Sequence, residues 1–163
     1  MSDGSTEREM LEQECVARIA VINAIASAFG DTHMPPAAPL LRHDSYSEDE
    51  VMCFVSYTNW RSVTDKTVEE NPAALSFFSA CALVAFLPAY LIWVLNNYRT
   101  SDSFTVDSTV YALDAWGNAE RTRFSKLNAA QRCAIKGFLE FLATYGHGNV
   151  DLAGVESALH CGI

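Results

Sequence analysis

The stretch from Ala73 to Leu95, AALSFFSACALVAFLPAYLIWVL, contains no charged side chain. It is long enough to cross a bilayer, for which about 20 apolar residues suffice. Three features argue for a buried core instead. Pro88 lies two-thirds of the way along, where it would break the bonding of a continuous helix. Glu69 and Glu70 precede the stretch and a lone Arg99 follows, so no cluster of basic residues marks a cytoplasmic flank. Amphipathic segments elsewhere in the chain also need an apolar partner, which a soluble core supplies. The reading is therefore two consecutive core helices. One spans Ser79 to Phe86; the other starts with Pro88 at its first position and runs to Tyr98.

On the N-terminal side, Thr6 and Glu9 have capping-box spacing. Leu11, Cys15, Ile19, Ile22, Ile25 and Phe29 then recur every three or four residues, so a helix is expected over 7–29, ended by Gly30. Residues 1–5 are expected to be disordered. Pro35, Pro36 and Pro39 make 31–46 an extended loop, pinned by Leu40 and Leu41. Ser47 and Glu50 form a second capping box ahead of a short helical face of Val51, Phe54 and Val55. Thr64 or Thr67 caps another short helix before Pro72.

On the C-terminal side, 104–113 reads either as alternating strand or as helix, with helix from Asp107 preferred. Trp116-Gly117-Asn118 reads as a turn. Asn128 and Gln131 form a capping box for a helix with the stripe Ile135, Phe138, Leu139, Leu142 and Tyr145, stopped by Gly146. Asp151 caps a last helix carrying Leu152, Val155 and Leu159. The expected architecture is a single all-α domain, 1–163, of about six helices packed around the central apolar pair.

Charge and cysteines bound the function. Half of the 163 residues are hydrophobic and the formal net charge is −9. The acids concentrate before residue 71, whereas the densest basic stretch is Arg121, Arg123 and Lys126, which is poor material for binding a phosphate backbone. A basic protein partner suits this balance, and neither nucleic acid nor membrane is expected as one. The five cysteines form no CxxC and are odd in number, and the polar start MSDGSTEREM has no signal-peptide pattern. Both observations fit a cytoplasmic protein with reduced thiols.

The run ALSFFSACALVAFLPAYL at 74–91, followed by RFSKLNAAQRCAIKGFLEFL at 123–142, resembles a bacterial family of small soluble proteins of unknown function. IASAFGDTHMP at 25–35 and the acidic SEDEV at 47–51 leading to Trp60 fit the same pattern, so the resemblance covers roughly residues 20–145. Asn128-Ala129-Ala130 stands where a Thr-Pro type of cap is common, and keeps the capping role. The resemblance implies one soluble helical domain and supplies no catalytic residues.

No chemistry-bearing motif stands out. His33, His43, His147 and His160 show no metal-ligand spacing, GxSxG is absent, and Gly146-His147-Gly148 lacks the lysine of a phosphate loop. No cofactor, metal or catalytic residue is expected. The densest polar cluster is His43-Asp44 with Glu48, Asp49 and Glu50. The expected partner-binding residues are Asp44, Glu48, Asp49 and Glu50, with Trp60 and Trp116 as aromatic anchors. The expected function is a non-enzymatic interaction protein, in its most concrete form an immunity-type protein that neutralises a toxin. The alternative is an enzyme whose site assembles distant residues, with His33, His43 or His147 beside a carboxylate.

Overall fold

The computed structural model describes residues 3–43, 45, 48–114 and 121–161. Within them the regular structure is helical: α1 (Asp3–Phe29), α2 (Asp65–Glu70), α3 (Ala74–Phe77), α4 (Ala80–Asn97), α5 (Thr105–Asp114), α6 (Ala129–Tyr145) and α7 (Leu152–His160). Short 3-10 turns occupy Glu48–Glu50, Met52–Phe54, Trp60–Ser62 and Arg121–Phe124. The all-α expectation holds, with seven α-helices among the described residues where about six were expected.

The central stretch corrects the two-helix reading. α4 is one continuous helix that passes through Pro88. Pro88 removes the amide that would bond the Val84 carbonyl, at a cost of about 3 kcal/mol. Burial outweighs that loss. Leu83, Phe86, Leu87, Tyr90, Leu91, Val94 and Leu95 are all fully buried, and each such large side chain contributes about 1.5–3 kcal/mol. The helix starts where expected, because the Ser79 hydroxyl accepts from the Ala82 amide at 3.2 Å. It is the one described helix long and apolar enough to cross a membrane, and 67% of it is covered by the rest of the chain.

α1, α2, α5 and α6 pack against α4, α3 packs on α5, α7 fills the angle between α5 and α6, and α1 lies mainly along α6. Caps set most boundaries. Asn128 and Gln131 exchange hydrogen bonds at 2.9 and 3.0 Å in a complete capping box, and Asp151 accepts from Gly154. The Thr64 side chain receives the Thr67 amide to start α2. Residues 104–113 resolve as helix: Ser103 accepts from the Thr105 amide, so α5 begins two residues before Asp107. The proline-rich loop is pinned next to Leu40 and Leu41 through backbone bonds from Ser79 to Leu40 and from Arg42 to Phe77.

Two expectations about α1 fail. The helix begins at Asp3, so Thr6 lies inside it rather than at its cap. Side-chain pairs one turn apart, Ser5 with Glu9 and Arg8 with Glu12, support these first turns. The buried face is also rotated from the expected stripe. Glu14, Val21, Ile22, Ile25 and Phe29 face inward, while Leu11, Cys15 and Ile19 are exposed. Gly30 ends the helix as expected, with φ of 49° in the left-handed region.

Candidate functional surfaces

Between the proline-rich loop and α2, the chain from Glu48 to Tyr57 winds in turns of three. Backbone bonds run from Val51 to Glu48, Phe54 to Val51, Val55 to Met52 and Tyr57 to Phe54. A period of three stacks every third side chain. Val51 and Phe54 therefore point inward and are buried, while Asp49, Met52 and Val55 form an outward row. Met52 is 55% and Val55 65% exposed. Glu48 is exposed beside them and Glu50 is half-buried. The row is firmly based, because the Phe54 ring lies 4.9 Å from Phe78 and 5.3 Å from Phe86. Behind it, the buried Tyr90 hydroxyl donates to the Asn71 carbonyl at 2.7 Å. Burial pushes the Tyr90 hydroxyl well above its ordinary pKa, with smaller contributions from Cys53 and Glu50. Desolvation likewise pushes the Cys53 thiol up, aided by the Glu50 charge, so it is a poor nucleophile at neutral pH.

Trp60 does not join this surface. Trp60 is 8% exposed, donates Nε1–H to the Gly30 carbonyl at 3.2 Å, and carries the Arg61 guanidinium 4.3 Å over its ring. It ties the end of α1 to the turn before α2, which corrects its expected role as an exposed anchor. Asp44, Trp116 and the Ser47 cap lie outside the described residues.

A second surface, not anticipated from the sequence, forms at the other end of α1. Residues 4–13 are exposed throughout, because α1 overhangs the ends of α4 and α6. At the base of this overhang the Glu14 carboxylate, 6% exposed, accepts hydrogen bonds from the Tyr98 hydroxyl and from Nε and Nη2 of Arg99. Burial raises the Glu14 pKa, but the bonds from Arg99 and Tyr98 and the positive charges of Arg99 and Arg18 outweigh it, and the carboxyl is held below its usual range. Burial first, then the bond to Glu14, raises Tyr98. Glu14 could have been suspected, since it interrupts a row formed by Met10, Ala17, Val21, Ile25 and Ala28. Its partners are some 85 residues away and are not legible from local pattern.

Beside this cluster lies a groove of about 700 Å³, lined among others by Glu7, Met10, Leu11, Arg99, Tyr145 and His147. The groove is lined by His147 together with the carboxylates of Glu7 and Glu14. Arg99 and Tyr98 already engage the Glu14 oxygens, so Glu14 is not a free base. His33, His43 and His160 are also exposed. Among the described residues no group of three or more His, Cys, Asp or Glu is arranged to hold a metal ion. A shallower groove of about 800 Å³ runs between α1 and α6, lined mostly by small residues such as Ala20, Ala24, Ala130 and Gly137.

The fold and these surfaces define an all-α domain with a buried apolar central helix and two exposed regions in which acidic and apolar side chains mix. The chain belongs to the family of unknown function designated DUF6714, which residues 17–153 match. No curated protein and no solved structure matches it.

Proposed function

We propose that this chain is a non-enzymatic, cytoplasmic protein-binding module that engages a basic partner through an acidic surface, most concretely an immunity-type protein neutralising a toxic effector. The observation that carries the reading is the outward row of Asp49, Met52 and Val55 with Glu48 beside it. Apolar side chains standing among acids on a rigid base match the apolar centre and charged rim of protein interfaces. The acids would steer a basic partner and fix its orientation, while Met52 and Val55 would supply the buried contact. The net charge of −9 favours the same encounter at a distance.

The test is a pull-down with the full chain, followed by titration of the recovered partner. Binding should weaken as salt rises, and Glu48→Lys with Asp49→Lys should lower affinity by about tenfold or more. Recovery of no partner, or binding indifferent to these reversals, would overturn the reading. The alternative of an enzyme has one observation in its favour, His147 lining the same groove as Glu7 and Glu14.

A further inference from the structure

Three observations at the start of α1 converge. Ten consecutive residues, 4–13, form helix and are each exposed, at the free end of a helix whose later turns are packed. Met10 and Leu11, 63% and 52% exposed, line the groove below it rather than the far side of the helix. The groove also presents Tyr145, whose ring packs 4.9 Å from Phe141, an aromatic surface held in place from behind.

Charge selects the occupant. Glu7 lines the groove and makes no ion pair among the described residues, and Glu9 and Glu12 stand on the adjoining helix surface. The Arg99 charge is matched by Glu14 in an ion pair. A second copy of this chain would bring a further net charge of −9 toward these acids, which disfavours self-docking. A cationic segment with an apolar face complements both the acids and the bare Met10–Leu11–Tyr145 surface.

We propose that the groove between the overhanging start of α1 and the end of α6 docks a basic amphipathic segment of a partner protein. This rests on the reading of the chain as a protein-binding module, but on a different surface from the Asp49 row. The occupant lays its apolar side chains on Met10, Leu11 and Tyr145 and sets lysines or arginines against Glu7. Binding then completes the cover of the α1 overhang.

The test uses the full chain and a fluorescent peptide of about 14 leucines and lysines in amphipathic helical order, with a scrambled isomer of equal charge as control. Anisotropy should show the amphipathic peptide binding about tenfold more tightly than the scrambled one, and Met10→Ser with Leu11→Ser should remove that advantage. Glu7→Lys should weaken binding about threefold, and less at high salt. Amide chemical-shift changes should map to residues 6–14, 99 and 144–147. Circular dichroism checks that the variants remain folded. Equal binding of the two peptides, or shifts mapping elsewhere, overturns the proposal. If Glu48→Lys with Asp49→Lys abolishes peptide binding while Met10→Ser with Leu11→Ser does not, this proposal fails and the acidic row stands. A dimer in solution that the Met10→Ser, Leu11→Ser variant loses would assign the groove to a second copy and also overturn it.

Discussion

α4 and the first half of α1 are both helical, yet they differ in composition and in fate: α4 carries no charged side chain, whereas residues 3–15 include Asp3, Glu7, Arg8, Glu9, Glu12 and Glu14 around Met10 and Leu11. α4 has neighbours on nearly every side and retains few exposed positions. The start of α1 has neighbours only beneath its base and leaves Met10, Leu11, Val16 and Ile19 in solvent. Reach adds to that difference in composition: α4 lies wholly within the ring of surrounding helices, whereas α1, at 27 residues, outruns the 17-residue α6 on which it lies. Stability is therefore concentrated around α4, and the start of α1 is left available for contacts outside the fold.

Substitution in the two regions should show the contrast directly. Phe86→Ala removes a fully buried ring from the aromatic cluster with Phe54 and Phe78. It should cost about 3–5 kcal/mol in chemical denaturation. A cost below about 1 kcal/mol would mean that α4 is not the centre of the core.

Glu14→Gln tests the boundary between the regions. It strips the carboxylate that receives Tyr98 and Arg99, and should cost about 2 kcal/mol near neutral pH, moderated by the partial exposure of Arg99. The sign of its pH dependence follows from the lowered pKa of Glu14. The carboxylate's contribution is fully present above the unfolded-state value and is lost as pH falls through the folded-state value. The gap between parent and variant should thus narrow on acidification. A gap that stays constant from neutral to acidic pH would show that the charge of Glu14 is not what matters.

The smallest effect belongs to Met10→Ser with Leu11→Ser. With both side chains largely in solvent, stability should change by no more than about 0.5 kcal/mol per site. A loss of several kcal/mol would break the comparison, because it would mean that the start of α1 is covered.

The sequence revealed what is settled within a few residues. The Asn128–Gln131 box and the Thr64 and Asp151 caps depend on side chains three positions from the amides they serve, and the Gly30 stop on a left-handed backbone that needs no side chain. It misled where distant contacts decide. Pro88 reads as a helix start because its local penalty is visible and the surrounding burial is not. Glu14 reads as surface because Arg99 and Tyr98, which make its burial tolerable, come from the far end of α4. Asp49 was legible as a surface acid. Its alignment with Met52 and Val55 depends on a three-residue winding that the expected helix of 3.6 residues per turn does not produce. Trp60 reads as an exposed ring because its acceptor, the Gly30 carbonyl, lies thirty residues away.

The packing of α1 on α6 also has a consequence for synthesis of the chain. α6 begins at Ala129, about a hundred residues after α1 has ended. At roughly 5–20 residues per second, the finished α1 waits about 5–20 seconds on the ribosome before its main packing partner is made. During that interval the inward face of α1 lacks the cover that α6 later provides. That face therefore stays open to aggregation or chaperone capture until α6 is made.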